Sequence, residues 1–351
     1  MFNKKKFLCI IAVMIFLLSV NGCKKSQLEF TTMQKIDAHL HIRYSGAEFL
    51  DQAATDNFKV IAILTDHYDI GWQKEFIDRQ RLQHAQQIAY ITTFTIQGWD
   101  DPDWQEKTIA HLKNEFANGA IGVKVWKNIG MEFKDKDTNF VMIDHPRFDA
   151  IFDFIESQGK TLTGHIGEPR DCWLPMEKMI AESNRRYYTA NPEYHMYHHS
   201  EYPSYEDQIN SYKRMLKKHP HLRYVGCHLG SIEWSMAELA KVMDEFPNMT
   251  VDLAARIDDI QLLDRDKVRQ FFINYQDRIL YGTDLNIKEQ HDPKAYAEYA
   301  HQTWLNDWTY FATDSVLTIP GIDKPVAGLD LPDVVLEKIY RRNVARCYLY
   351  K

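Results

Sequence analysis

The sequence predicts a (β/α)8 TIM barrel with its reactive rim at the C-terminal ends of the strands. Eight short apolar runs recur, at 35–42, 59–65, 89–96, 121–126, 161–166, 222–229, 249–254 and 278–283. Segments with helical spacing of apolar residues lie between them. Most of the polar residues able to do chemistry fall at the downstream ends of those runs. Strand and helix alternating eight times favour a barrel over an open doubly wound sheet, and the chain has no Gly-rich dinucleotide turn.

The elements follow in order. Lys4, Lys5 and Lys6 precede an apolar run, 7–20, that is short for a membrane span. It ends in Val20-Asn21-Gly22-Cys23, which resembles the lipobox of bacterial lipoproteins. Residues 1–22 are therefore expected to be a signal peptide and Cys23 the lipidated N-terminus. That places the protein in the cell envelope, exported and either membrane-anchored or periplasmic. Residues 23–34 read as a tether and 35–351 as a single domain, a size that suits one large α/β unit. Removing 1–22 removes three Lys and no acid, taking the net charge from −7 to −10. An acidic body argues against nucleic acid as a partner, and it leaves acyl chains rather than charge to hold a membrane. Beyond the leader, Cys172, Cys227 and Cys347 form no disulfide framework pattern.

Within the domain, helices are expected at 49–54, 72–87, 104–116, 148–155, 205–218, 232–246 and 268–275, with Gly119, Gly159 and Pro247 closing three of them. Two inserts, 167–204 and 285–331, leave the C-terminal ends of strands five and eight, and their Trp, Tyr and His content suggests lids. The stretch 332–350 reads as a packing helix.

The chemistry starts in the first strand. In Ile36-Asp37-Ala38-His39-Leu40-His41-Ile42, alternation puts Asp37, His39 and His41 on one face. Lys124 ends strand four, His165 strand five, His228 strand six and Asp284 strand eight. Parity predicts Gly226 and His228 inward with Val225 and Cys227 outward; it also turns Thr163 with His165, and Gly282 with Asp284, inward. Imidazoles and a carboxylate suit Zn²⁺, with Mn²⁺, Fe²⁺ or Co²⁺ as substitutes. Such an ion would bring the pKa of a bound water toward neutrality. Asp284 could then act as ligand and general base, and His228 as ligand or as a group polarising a substrate carbonyl.

This constellation resembles the amidohydrolase superfamily, and the opening Ile36-Asp37-Ala38-His39 with the closing Asp330-Leu331-Pro332…Asn343 is similar to its amidohydrolase-related (amidohydrolase 2) branch. That branch holds lactonases and metal-dependent decarboxylases. The resemblance implies a metal-dependent hydrolase with His39, His41, His165 and Asp284 as ligands and His228 as ligand or catalytic residue. For Lys124 it implies a carboxylated bridge between two metals; the residue alone reads equally as a contact to a substrate carboxylate or an ion pair with Glu168. Lys127 competes for either role. One or two Zn²⁺, or Mn²⁺, are the expected cofactors.

Four further residues are candidates for substrate binding. Arg256 follows strand seven and suits a bidentate grip on a carboxylate. His67 follows strand two beside Asp66, which reads alternatively as a loop cap. Trp126 could wall the pocket. Arg185 lies in the Arg185-Arg186-Tyr187-Tyr188 stretch of the first insert, near a His195–His199 cluster that reads as lid packing before metal. The leading function is hydrolysis of a cyclic ester or amide, lactone-like, of a small organic acid or sugar derivative. The alternatives are decarboxylation of an unsaturated acid and a non-catalytic ligand-binding lipoprotein. Barrels of this kind often pair, so a homo-oligomer is compatible with the sequence.

Overall fold

The computed structural model describes residues 28–319, 322 and 324–349. The expected signal peptide, Cys23 and the first part of the tether lie outside the described residues. The last part of the tether is not free: Phe30 and Met33 are buried in the main core, and Lys35 donates to the carbonyls of Phe30 and Met33.

All eight apolar runs contain strands. They are β1 (Lys35–Arg43), β2 (Phe58–Ile63), β3 (Ile88–Thr93), β4 (Gly122–Val125), β5 (Thr161–Gly164), β6 (Arg223–Gly226), β7 (Met249–Asp252) and β8 (Ile279–Leu280). A further strand, β9 (Leu285–Lys288), pairs parallel with β1. The result is a curled nine-stranded parallel sheet in the order β8-β7-β6-β5-β4-β3-β2-β1-β9, a TIM-barrel-like α/β architecture. Ala38 N donates to Tyr281 O at 3.0 Å and Asp284 N to His39 O at 2.8 Å, which brings the chain after β8 alongside β1.

The inner layer is Ile36, Ala38, Ile61, Ile63, Ala89, Ile91, Val225 and Leu280, plugged from below by Val344, Cys347 and Tyr348 of the helix Asn343–Tyr348. The packing helix expected at 332–350 is thus the barrel's floor. It is held there by Asn343 Nδ2, which donates to the carbonyls of Gln276 and Ile279 at 2.7 and 2.8 Å. The outer layer packs against helices that include Glu48–Thr55, Ile70–Gln83, Trp104–Ala117, Asp149–Ser157 and Tyr205–Lys218. The last of these opens on a reciprocal cap between Ser204 and Asp207.

Two parity expectations fail. The register of β1 on β2 shifts between Asp37 and Leu40, so three steps along β1 face two along β2. Ala38 and His39 therefore both face inward, and Asp37 faces outward, where Trp304 Nε1 donates to it at 3.0 Å. In β6 it is Val225 that lies in the inner layer, and Cys227 Sγ faces Lys124. His228 reaches the site because the chain turns left-handed at its residue.

The insert 167–204 folds over the rim as short turns and the helix Glu182–Ala190, packing its Cys172, Met179, Tyr188 and Met196 in a small cluster with Met131 from the turn after β4. Asp171 staples it, accepting from the amides of Ile180 and Ala181 and from Asn184 Nδ2. The insert 285–331 is not a lid. After β9 it forms the helix Pro293–Ala312 on the barrel's flank, where Trp304 is fully buried and stacks on Phe58 with ring centroids 4.7 Å apart. Trp304, Trp308, Tyr310 and Phe311 are core, while Tyr299 is exposed.

Candidate active site

Three of the six rim residues present ring nitrogens or a carboxylate to one point. His39 Nε2 lies 3.6 Å and His41 Nε2 3.2 Å from Asp284 Oδ1. The other nitrogen of each ring is occupied. His39 Nδ1 donates to Asp252 Oδ2 at 2.8 Å, and His41 Nδ1 donates to the Ile63 carbonyl at 2.8 Å. His228 Nδ1 likewise donates to the Ala254 carbonyl at 2.8 Å. Carboxylates and carbonyls only accept, so all three rings carry their proton on Nδ1 and aim an Nε2 lone pair into the site. His165 Nδ1 is 3.2 Å from His228 Nε2, and His165 Nε2 is buried with no protein partner. Lys124 is buried, with Nζ donating to Cys227 Sγ at 2.9 Å.

Burial pushes the pKa of His39 down, and those of His165 and His228 well down, with neighbouring cations adding to the effect. Neutral imidazoles are the form that binds metal. Burial opposes ionisation of Asp284, but the imidazoles of His41, His39 and His228 gathered round its carboxyl outweigh that and hold it well below the usual range. Asp252 behaves in the same way and is held at about 2, with His39 the main counterweight to burial.

A metal fits this group. Among the described residues, His39, His41 and Asp284 each bring a donor atom within 4.8 Å of the others, and the orphaned His165 Nε2 is the kind of buried atom a cation would satisfy.

The backbone at the rim is unusual. His228 (φ 57°), Leu229 (φ 58°), Gly230 (φ 60°) and Ser231 (φ 58°) are all left-handed, and Ala255 (φ 51°) and Asp284 (φ 67°) follow at the ends of β7 and β8. Each non-Gly residue there costs roughly 1–2 kcal/mol. Side chains hold the turn after β6: Tyr205 donates to Ser231 O at 2.6 Å, and Ser231 Oγ donates to Ile166 O at 2.8 Å.

The cavity over these residues has a volume of about 230 Å³, and its lining includes His41, Lys124, His165, His228 and Asp284, with Trp126 and His67 as walls. Asp66 does not reach it; it caps, accepting from Ile96 N and Asn128 Nδ2. Arg256 is not among the lining residues. It is buried behind the rim, where Asp259 and Glu233 surround it with negative charge. Arg185 pairs with Glu182 on the lid helix. Lys127 pairs with Glu168. In the lid, His195 bonds the Leu174 carbonyl and stacks on Tyr188, as packing does.

Three residues escaped the sequence reading. Asp252 holds the ring of His39 with one oxygen and the amides of His228 and Ala254 with the other. Its signal was its inward position two residues before Ala254. Arg43 and Asn286 line the cavity; Arg43 simply continues the alternation His39, His41.

A barrel-like sheet with imidazoles and a carboxylate converging at its rim defines a metal-dependent enzyme of hydrolase or lyase type. The chain belongs to the amidohydrolase family, whose profile matches residues 36–349. No curated protein matches the sequence. Among solved structures, an amidohydrolase II is similar at 12% identity, covering 90% of this chain and 100% of its own, with a TM-score of 0.49. A protein described as a metal-dependent hydrolase from Lactobacillus casei shows 14% identity over 91% of this chain and 96% of its own, with a TM-score of 0.47. An amidohydrolase 2 from Bifidobacterium longum shows 14% identity over 91% and 100%, with a TM-score of 0.43. The family assignment rests on the profile and not on these likenesses.

Proposed function

We propose that the protein is a metal-dependent hydrolase that opens a cyclic ester or amide, lactone-like, of a small organic acid or sugar derivative. The observation that carries the reading is the pair of Nε2 atoms of His39 and His41 turned on Asp284 Oδ1 while both Nδ1 atoms are occupied. In this reading the barrel is a closed (β/α)8, with 279–288 acting as its eighth strand. His39, His41, His165, His228 and Asp284 would hold a divalent cation, and the donor set suits Zn²⁺ first and Mn²⁺ second. Such an ion supplies Lewis acidity, polarising a carbonyl and making water nucleophilic at neutral pH. Asp284 takes the proton from the attacking water at its carboxylate. Asp284 then returns that proton to the leaving oxygen or nitrogen, while His228, whose Nε2 carries a lone pair and no proton, would serve as a ligand. Asp252 keeps His39 in the tautomer that can ligate. Trp126, His67 and the lid keep bulk water out.

A second reading, decarboxylation of an unsaturated acid, is favoured by one contact. Lys124 is held against Cys227, an arrangement that suits one ion better than two.

The test is elemental mass spectrometry on protein purified without chelator. Two ions per chain support the hydrolase with Lys124 as bridge. One ion makes Lys124 a substrate contact, and incorporation of solvent oxygen into product then separates hydrolysis from decarboxylation. No ion, even after reconstitution with zinc or manganese, sinks both. Metal uptake undiminished in a His39→Ala, His41→Ala double variant would do the same.

Export belongs to the same proposal: the mature chain begins at a lipidated Cys23. A Cys23→Ala chain that fractionates with membranes as the wild type does would rule that out.

A further inference from the structure

The cavity has an electrical polarity that hydrolysis alone does not explain. Its inner half holds the cations Arg43, Lys124 and Lys127 against a single lining carboxylate, Asp284. Arg43 follows His41 by two positions on β1 and shares its face. It is buried, yet among the described residues it makes no ion pair. Its Nη2 donates to Asn286 Oδ1 at 2.5 Å, and its guanidinium lies 4.6 Å over the Tyr68 ring. The Asp284 carboxylate acts on it from beyond ion-pairing distance and is already engaged by His39 and His41, so this guanidinium is incompletely matched, and it borders a cavity rather than packed core.

The outer half is different. A second chamber of about 320 Å³ opens from the first, sharing His67, Trp126 and Lys127 with it. It carries Glu132, Glu168 and Glu193 between the rings of Trp126, Tyr187 and Tyr194. Its lysine is already matched, Lys127 to Glu168. An anion entering there meets carboxylates; a ring meets aromatic faces.

We propose that Arg43 anchors a carboxylate of the substrate. The substrate is then a carboxylic acid whose anionic end points inward and whose uncharged or cationic ring end lies in the outer chamber. The planar guanidinium presents two parallel N–H groups to a carboxylate, which fixes orientation as well as charge. At about 3.3 Å per residue along a strand, the backbone of Arg43 is some 6–7 Å from that of His41, so one small molecule can touch both. Arg256 cannot share the task while Asp259 and Glu233 surround it. The position of the scissile bond rests on the hydrolase reading; the anchor does not.

The experiment is calorimetric titration of the full chain with benzoate and with its neutral isostere benzamide, with and without prior chelation. Benzoate should bind the wild type more tightly than benzamide. Arg43→Gln should weaken benzoate about 10- to 100-fold, the range for a hydrogen-bonded charge, and leave benzamide unchanged. Arg43→Lys should recover part of the loss, and Arg256→Gln should cause none. Equal affinity of the wild type for the two probes overturns the proposal without any variant. A tenfold loss in Arg256→Gln with Arg43→Gln silent also overturns it. Benzoate binding that disappears on chelation and ignores Arg43→Gln gives the carboxylate to the metal, overturning the anchor and sparing the hydrolase. Arg43-dependent benzoate binding in protein that takes up no metal supports the anchor and sinks only the hydrolase.

Discussion

β1 and β6 deliver histidines to the same point by different backbone devices. In β1 one extra residue is inserted, so Ala38 and His39 both face inward and the strand then continues in regular alternation through His41 and Arg43. In β6 the strand stops at Gly226, and a left-handed turn swings His228 across to His165 and toward His39, whose ring centroid is 4.9 Å from its own. The first device interrupts the ladder only at Ala38 and His39, where the His39 amide is taken up by Asp37 Oδ1, and it costs little. The second leaves the ladder, puts three non-Gly residues in a disfavoured region and needs side chains to hold it. Asp252 joins them: one oxygen serves the ring from β1 and the other the amide that starts the turn after β6.

The largest expected effect therefore comes from breaking that shared brace. Asp252→Asn removes the fixed acceptor for His39 Nδ1–H, so the ring is free to choose the wrong tautomer. Metal affinity or turnover should fall about 10- to 100-fold, read by competition with a chelator and by kcat, while the melting temperature of the metal-free protein changes less. An unchanged metal affinity would mean that the two histidines are placed independently.

How much of this was legible follows from the same contrast. The eight strands were visible because apolar runs survive any local irregularity. Lys124, His165 and Asp284 sit where strand parity put them, and the inward Thr163 meets Tyr348 of the floor at 2.9 Å. The bulge in β1 was not visible, because one inserted residue changes no composition; it exchanged the faces of Asp37 and Ala38. The turn after β6 was hidden for a related reason: Gly230 and His228 hint at it, but Leu229 and Ser231 give no sign of left-handed backbone. The helix Pro293–Ala312 carried a readable signal, Asp292 as cap before Pro293 and buried Ala297, Ala300, Trp304, Trp308 and Phe311 at helical spacing. Its aromatic content drew it into a lid instead.

The β1 side is also braced from outside, and pH can separate that brace from the inner one. The Tyr281 hydroxyl donates at 2.6 Å to Asp307 on the flanking helix, and burial raises the Asp307 carboxyl from 3.8 to about 7. The folded chain thus holds this proton more tightly than the unfolded chain does. The contribution is fully present below pH 3.8 and is lost as pH rises through about 7. The unfolding free energy from urea titrations should fall across that window by roughly 1–3 kcal/mol, and Asp307→Asn should flatten the slope. The inner brace has the opposite sign, because Asp252 is depressed to about 2, and its contribution fades only in acid. A slope unaltered by Asp307→Asn would locate the titration elsewhere.

Gly230→Ala addresses the cost of the turn itself. At φ 60° the added Cβ is disfavoured by about 1–2 kcal/mol, and it would meet Met249 Cε at 2.8 Å, a flexible end that can yield. Stability should drop by about that amount in denaturant unfolding. The same substitution gives no reason for a loss at β1, whose bulge contains no left-handed residue.

The smallest effect is the mirror of this one. Ala255 is exposed, left-handed at φ 51°, and bonded through its amide to Thr283 O at 3.2 Å, so Ala255→Gly removes strain without removing packing. Against it stands the extra chain entropy of glycine, about 0.5–1 kcal/mol, which leaves a net gain of a few tenths to 1 kcal/mol. The melting temperature should rise slightly. If activity is unchanged, the strain at the rim is a tolerated consequence of aiming these residues. If stability rises while turnover falls, the strain itself positions the end of β7, and with it Asp252. The β1 and β6 devices would then differ in purpose as well as in cost.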